Sequence, residues 1–415
     1  MTSASKSKGR KTLISLLGTG RQAKGEDAVR YETTDYSING KLYRDESFVA
    51  IPIVDYYKID RLFLIGTTES MWDEIADKFS VDESARISLL EKKEKKSLTE
   101  ADLTPINNAI DLKLGKKGSQ CILIKEGVNN DELWEIFERF IGILDTLGDS
   151  DELYLDVTHL FRSLSVMAFV MIEFGLSYKR FKVKGVFYGQ LNKDGPSPII
   201  NLAVFFEFLE WSKAINNLNL YGNGHNLNAL LQNSGESKEV KNAFSNFSNA
   251  LSVSDMSAMQ TSVKILKGQI ESFRESKDPI VRIISKQLIK FIARFNANDL
   301  LSDFQFNLAK WYCGNNSYAM AYIALVEAAV SAECERLGKS PTNREARVEA
   351  KDSFFQRPSK SDIRRAFSEV VAIRNNIAHK ISADSSTEQG RAPNPKDSIS
   401  NFEKYLSTLK QVKRK

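Results

Sequence analysis

The chain has 415 residues, of which 42% are hydrophobic and 27% charged, and its formal net charge is +5. A single hydrophobic core rarely extends beyond about 250–300 residues, so this length predicts two domains. No apolar run approaches the roughly 18 residues that a membrane helix needs, and the early TLISLLGTG is too short for a signal-peptide core. These features argue against a membrane protein, and we expect a cytoplasmic protein without a membrane partner.

The cysteine content argues against a disulfide framework and a zinc site. Cys121, Cys313 and Cys334 are far apart and form no C-x-x-C pair. We expect them to be small buried side chains, and we expect no metal site. The mild positive charge is compatible with a polyanionic partner but does not identify one.

The first half of the chain alternates short apolar runs with amphipathic stretches. The runs end in or near Gly, Thr or Asp and are typical of buried parallel strands. Strands are predicted at 12–17, 61–67, 120–127, 152–159 and 183–190, and helices at 70–79, 130–148 and 161–175. The pattern predicts a Rossmann-like α/β domain with a parallel sheet over residues 1–202.

From residue 203 to 415 the strand pattern stops and a helical period takes over, which predicts an all-α domain. Helices are predicted at 202–219, 280–295, 321–338, 362–381 and 399–413. The polar segment 233–249 is expected to be a loop or a weakly held insertion, and 382–398 has the composition of a mobile loop.

Small and polar residues follow three of the predicted strands. Ligands bind beyond the carboxyl ends of parallel strands, where small residues let a phosphate approach the backbone and hydroxyl or cationic side chains contact it. The candidate ligand-binding residues are Gly18, Thr19, Gly20, Arg21, Gly66, Thr67, Ser70, Thr158, His159 and Arg162. We expect Arg21, His159 and Arg162 to neutralise phosphate.

Structural roles for these motifs remain open as alternatives to ligand binding. GTGRQA fits the G-x-G-x-x-A pattern, but a polar alternating segment follows it instead of the helix that a dinucleotide site requires. Ser70 is the expected N-cap of the next helix if GTTES is an ordinary turn. Asp156 and His159 would then be a buried polar pair that steadies a loop.

A second candidate site lies in the predicted helix at 362–381. Its apolar positions predict a stripe in which residue 374 is the missing member, and that residue is arginine. An arginine in an apolar seam needs a partner such as Glu327, or a site to face. The stripe consists of Ile363, Phe367, Val370, Ile377 and Ile381.

His379 lies five residues after Arg374, about 140° around an ideal helix, so one helix alone would make a poor catalytic pair. Two copies across a twofold axis would bring two arginines and two histidines together, with Asn375 adding neutral hydrogen bonds. His379 could act as acid or base in attack of a ribose 2′-OH on its phosphate, and Arg374 would stabilise the developing charge. Because this nucleophile belongs to the substrate, no metal is required.

These motifs together resemble the CRISPR-associated accessory ribonucleases in which a Rossmann-like CARF domain precedes a HEPN domain. Within them the chain is similar to the group marked by a D-x-T-H-G motif, although Leu160 stands at the glycine position. The matching segments are GTG at 18–20, IGTTESMWDE at 65–74, DVTH at 156–159, FEFLEWSKA at 206–214 and RNNIAH at 374–379, the last as the R-x4–6-H signature.

The resemblance implies a cyclic tetra- or hexa-adenylate activator bound by the CARF domain across a homodimer or higher oligomer. It implies cleavage of single-stranded RNA by the HEPN domain, with no cofactor besides the activator. Two alternatives remain: a non-catalytic sensor that docks another molecule, or a CARF domain that degrades its own messenger with help from Thr19, Ser70 or Arg162.

Overall fold

A computed structural model describes residues 9–22, 29–159, 162–295, 300–379 and 395–414. The chain divides into two compact units, Met1–Glu207 and Phe208–Lys415. Most of the predicted mobile loop at 382–398, together with Leu160 and Ile381, lies outside the described residues. No helix in the described ranges is both long and apolar enough to cross a bilayer.

The first unit contains a central sheet flanked by helices. Its strands are β1 (Lys11–Leu16), β2 (Arg21–Gln22), β3 (Val29–Arg30), β4 (Thr34–Ile38), β5 (Lys41–Glu46), β6 (Arg61–Gly66), β7 (Gln120–Leu123), β8 (Glu152–Asp156), β9 (Lys182–Gly189) and β10 (Ser197–Asn201). Its helices are α1 (Ala50–Tyr57), α2 (Trp72–Lys78), α3 (Glu83–Glu94), α4 (Thr104–Leu114), α5 (Asn130–Asp145) and α6 (Arg162–Leu176), with a 3-10 turn at Glu100–Leu103.

The sheet is mixed, with a parallel centre. Its strand order is β5-β4-β10-β9-β8-β1-β6-β7. The five strands from β9 to β7 run parallel, as the apolar runs predict. β10 is antiparallel to β9, and β5 is antiparallel to β4. The expectation of a parallel sheet therefore holds for the centre. β5 and β10 were not predicted, and β4 begins in the polar alternating segment after GTGRQA, which predicts a turn and a strand.

Alternate side chains of the central strands enter two separate cores. In β1, Leu13 packs on one face and Ile14 on the other. The first face is covered by α1 to α4, which contribute side chains such as Ile53 and Trp72. The second face is covered by α5 and α6, through residues that include Phe140. This two-sided burial explains why adjacent residues of the central strands, such as Leu13 and Ile14, are both apolar.

β7 lies at one edge of the sheet, and side chains occupy its outward N–H groups. The amide of Cys121 donates to Asn107 Oδ1 at 2.7 Å, and the amide of Leu123 donates to Glu100 Oε1 at 3.0 Å. Residues of α4 and of the 3-10 turn before it thus satisfy donors that an edge strand would otherwise present to solvent.

The described elements from residue 204 onward are helical. They are α7 (Val204–Tyr221), α8 (His225–Asn233), α9 (Lys238–Ser252), α10 (Met256–Gly268), α11 (Ile270–Arg274), α12 (Pro279–Ala293), α13 (Leu301–Gly314), α14 (Tyr318–Arg336), α15 (Arg344–Gln356), α16 (Asp362–His379) and α17 (Pro395–Leu409), followed by a 3-10 turn at Lys410–Arg414. α14 is the most buried of these helices and packs against α13, α15 and α16.

The segment 233–249 is mostly helix, so its prediction as a loop was wrong. Ser237 caps α9 by accepting a hydrogen bond from the amide of Val240 at 3.3 Å. Phe244 and Phe247 of α9 are buried in the core of the second unit. The many Ser and Asn residues lie between these apolar positions and hide the helical period.

Candidate functional site

The predicted ligand-binding positions meet at one end of the parallel sheet. β8, β1 and β6 are neighbours that run in the same direction. The segments that follow them carry Gly18 and Thr19, Gly66 and Thr67, and Thr158 and His159. Because the carboxyl ends of adjacent parallel strands lie side by side, these segments are neighbours, and we call the candidate site at this end of the sheet the crevice.

Gly18 permits the close approach of two of these segments. A Cβ atom there would meet the carbonyl oxygen of His159 at 1.7 Å. The Gly18 carbonyl accepts hydrogen bonds from the Tyr31 hydroxyl at 2.9 Å and from the Met71 amide at 3.1 Å. The floor of the crevice therefore needs a residue without a side chain at position 18.

Ser70 connects the segments that follow β1 and β6. Its Oγ donates to the Leu17 carbonyl at 3.0 Å and accepts from the Thr67 amide at 2.9 Å. A Cβ at Gly66 would lie only 2.8 Å from the same Oγ, so this glycine is also required. α2 is capped at Met71 without a side-chain bond, so the interpretation of Ser70 as its N-cap was wrong. Both Ser70 and Thr67 are buried.

Asp156 holds the segment after β8 from within the core. Its carboxylate accepts hydrogen bonds from Ser15 Oγ at 2.7 Å, from Thr158 Oγ1 at 2.6 Å and from the Thr158 amide at 3.0 Å. Thr158 Oγ1 in turn accepts from the Gly189 amide at 2.9 Å. Burial raises the pKa of Asp156 to about 6, against the opposing effect of these donors. The Thr158 hydroxyl thus connects the end of β8 to β9 through hydrogen bonds.

His159 packs as an aromatic side chain. Its ring contacts those of Tyr31 and Phe48, with centroid distances of 4.3 and 5.7 Å, and the three rings form a cluster. Burial lowers the pKa of His159 to about 4, so the ring is neutral near pH 7. The expectation that His159 supplies positive charge to phosphate was therefore wrong. Phe48 had no sequence signal, since only the fold brings the segment before α1 to this point.

The two predicted cationic residues other than His159 stand at the starts of elements that follow β1 and β8. Arg21 is the first residue of β2, which pairs with β3 in a small hairpin, and Arg162 is the first residue of α6. Their side chains lie outside the described part of the structure. Thr19 and Gly20 are half-buried, and Gly20 adopts a φ of 73°, which favours glycine.

The second candidate site lies on α16. The buried stripe of this helix continues through Ile373, whereas Ile377 is exposed. Arg374 is half-buried beside the stripe, and the prediction that it occupies the seam was wrong. The proposed acidic partner is also wrong, because Glu327 pairs with Arg347.

Arg374 forms no ion pair with the residues that the structure describes, and Asn375 next to it is exposed. His379 is the last residue of α16, and its side chain is outside the described set. A half-exposed arginine without an acidic partner is available to contact an anion.

Two family models match different parts of the chain. Residues 12–192 match the family described as CRISPR system endoribonuclease Csx1, CARF domain. Residues 207–300 match the family described as CRISPR-associated protein MJ1674, second domain.

A relative and a solved structure extend the comparison along the chain. CRISPR-associated protein MJ1674 of Methanocaldococcus jannaschii is 30% identical over 97% of this chain, and the chain spans 66% of that protein's length. A solved structure of Enterococcus italicus Csm6 bound to cyclic hexa-2′-fluoro-hexa-dAMP is 14% identical with a TM-score of 0.38, covering 97% of this chain and 94% of that one. Most of the first unit therefore matches a CARF domain, and the chain is homologous to a CRISPR-associated protein.

Proposed function

We propose that this CRISPR-associated CARF protein is a cyclic-oligoadenylate-activated, metal-independent endoribonuclease that cleaves single-stranded RNA in type III CRISPR antiviral defence. The observation that carries the proposal is the crevice at the carboxyl ends of β8, β1 and β6, inside the segment that matches a CARF domain. Gly18 and Gly66 allow close backbone approach there, and Arg21 and Arg162 begin the elements that follow it. These are the features that a cyclic polyphosphate needs.

The catalytic part of the proposal rests on α16. Arg374 would stabilise the charge that develops on the phosphoryl oxygens, and His379 would move a proton to or from the ribose or the leaving oxygen. Asn375 is exposed on the same turn as Arg374 and would hydrogen-bond the RNA backbone. The nucleophile is the 2′-OH of the RNA, so the reaction gives a 2′,3′-cyclic phosphate and a free 5′-OH.

A homodimer is supported by an exposed apolar surface on the first unit. Along α6 and just past it, side chains four residues apart are exposed, and Trp134 of α5 adds to the same surface. Ring contacts connect Trp134 to Phe137 and Phe137 to Phe174. We call this surface the α6 stripe, and it consists of Val166, Val170, Phe174 and Tyr178. A second copy meeting this stripe would remove apolar area from water next to the crevice.

Labelled RNA incubated with and without cyclic tetra- and hexa-adenylate tests the proposal. We expect cleavage that rises with one of the two rings, persists in EDTA and spares DNA of the same sequence. Binding of a ring without RNA cleavage would favour a non-catalytic sensor. Loss of the ring in the same tube would reveal messenger degradation. Cleavage that requires metal or leaves 5′-phosphate ends would contradict the mechanism.

Arg374→Ala and His379→Ala should each lower cleavage by at least about 100-fold, the usual scale for a lost acid–base or charge-stabilising group. Activator binding should stay within a few-fold of the unchanged protein, because the crevice lies in the other unit. Arg365→Ala is the control, since this exposed arginine lies on the same helix and its contact with Asp362 is 3.9 Å long. Near-normal cleavage by a folded Arg374→Ala variant would refute the assignment.

A further inference from the structure

We propose that a pocket in the second unit binds one amino-bearing nucleobase, adenine, guanine or cytosine, of an RNA strand. The proposal rests on the ribonuclease function proposed above, because it assigns the pocket to the substrate of that activity. It names a base-recognition site that is separate from Arg374 and His379.

The pocket has a volume of about 480 Å³, which suits a nucleoside better than a larger ligand. Its walls come from the segment before α10, the first turns of α13 and α15, and the middle of α14. Apolar side chains of the lining include Met256, Leu301 and Ile323, and the polar side chains are Ser254, Asp255, Ser257, Gln305, Glu327, Thr342 and Arg347. A pocket of mixed polarity can pack against the faces of a heterocycle and hydrogen-bond its edge.

Gln305 has an unused hydrogen-bond acceptor. The residue is only 4% exposed, and its Oε1 is buried without a hydrogen-bond partner among the described residues. A buried amide oxygen without a donor costs free energy, so the protein retains this group at the expense of stability. A rotation of the amide would turn Oε1 toward a donor that enters the pocket.

Glu327 presents a second acceptor in a fixed orientation. Arg347 donates to Glu327 Oε2 and is itself held by the Pro341 carbonyl at 2.9 Å and by Ser331 Oγ at 3.3 Å. The other oxygen of Glu327 makes no hydrogen bond within the described ranges. The pocket therefore offers one amide and one carboxylate acceptor, which fit the N–H groups of an exocyclic amine.

The helical hairpin of α15 and α16 connects Arg347 of the pocket to Arg374. The rings of Phe354 and Phe367 stack across the hairpin, with centroids 3.9 Å apart and planes at 11°. Arg347 lies seven residues before Phe354, and Arg374 lies seven residues after Phe367. Because the helices are joined by a short turn, both arginines lie about 10 Å along the hairpin from the stacked rings. An RNA strand passing Arg374 could place a neighbouring base in the pocket.

Exocyclic amines separate the four bases. Adenine, guanine and cytosine carry an amino group, whereas uracil has only carbonyl oxygens and one ring N–H on its pairing edge. The Glu327 carboxylate and the Gln305 amide oxygen, once rotated toward the pocket, favour the first three and leave uracil oxygens facing acceptors. The pocket thus predicts a cleavage preference set by a base near the scissile bond.

The test measures binding of AMP, GMP, CMP and UMP to the full chain by calorimetry, without any cleavage step. At least one amino-bearing nucleotide should bind about fivefold or more tightly than UMP, the effect of roughly one hydrogen bond. Gln305→Leu and Glu327→Gln should each remove most of this difference. Gln356→Leu and Glu349→Gln are matched controls at exposed positions of α15, and they should leave binding unchanged.

Gln305→Leu also has a stability readout that separates binding from a structural role. Replacing the unpaired amide by an apolar side chain should raise the melting temperature of the free protein while weakening nucleotide binding. Equal binding of all four nucleotides, or binding unaffected by Gln305→Leu, would overturn the proposal. If nucleotides bind as expected but no RNA is cleaved, the proposed ribonuclease function fails and the pocket stands.

Discussion

Gly18 and Gly142 provide a matched pair of glycines with opposite expected effects. A Cβ at Gly18 would meet the His159 carbonyl oxygen at 1.7 Å, whereas a Cβ at Gly142 in α5 would meet nothing within 4 Å. Gly18→Ala should therefore destabilise the protein, by about 1–3 kcal/mol, and weaken activator binding. Gly142→Ala should stabilise it by about 0.5–1 kcal/mol, because alanine is the better helix former. Chemical denaturation of the two variants tests this, and a stable Gly18→Ala variant would contradict the close approach.

Asp156 makes stability depend on pH. Burial raises its pKa to about 6 from a model-compound value of 3.8, so the folded state binds the proton more tightly than the unfolded state. This contribution is fully present below about pH 4 and is lost as the pH rises through about 6; a shift of this size corresponds to about 3 kcal/mol. Asp156→Asn stays neutral, so its stability relative to the unchanged protein should increase between pH 4 and 7. Urea denaturation at several pH values measures the difference in the free energy of unfolding. A difference that does not change with pH would count against a buried carboxyl with a raised pKa.

Ser237 tests how much the N-cap of α9 contributes to the stability of the second unit. Its hydroxyl accepts from the Val240 amide at the start of the helix, so Ser237→Ala should cost about 1 kcal/mol. Ser245 lies in the middle of the same helix, and Ser245→Ala should stabilise the protein slightly, by about 0.5 kcal/mol. The melting temperatures of the two variants should move in opposite directions. Equal shifts would mean that the cap contributes nothing.

Elements were predictable from the sequence where burial is two-sided or the helical period is strong. β1, β6 and β8 are continuous apolar runs because both of their faces are covered. β4 and β5 are short and alternate, and only the Asn39–Gly40 pair between them, both with positive φ, offered the signal of a hairpin. α9 was not predicted as a helix, because its many Ser and Asn residues are typical of a loop and obscure the helical spacing of its apolar residues.

The candidate site was predictable in position but not in contacts. The segments after β1, β6 and β8 could be placed together because parallel strands end at the same side of a sheet. The burial of His159 against Tyr31 and Phe48, which lowers its pKa, depends on chain segments far apart in sequence. The buried seam of α16 was predicted to include position 374, whereas it includes Ile373. From the sequence alone, Ile373 and Ile377 fit a helical period equally well.

At the scale of the whole molecule, the α6 stripe should control assembly. Val170 is 59% exposed within the stripe, and Val348 of α15 is 55% exposed in the other unit. Val170→Lys should convert a dimer to single chains, because a charge would have to be buried between the copies, whereas Val348→Lys should leave the mass unchanged. Light scattering after size-exclusion chromatography measures both masses. A Val170→Lys protein that remains dimeric would place the interface elsewhere.

The side chains at the edge of β7 also limit how the protein can associate at high concentration. Asn107 and Glu100 already occupy the N–H groups of Cys121 and Leu123 that an incoming strand would need. Growth of the sheet from one molecule into the next, the route to fibres, is therefore blocked at this edge. Strand pairing through β7 should therefore not contribute to aggregation of the folded protein.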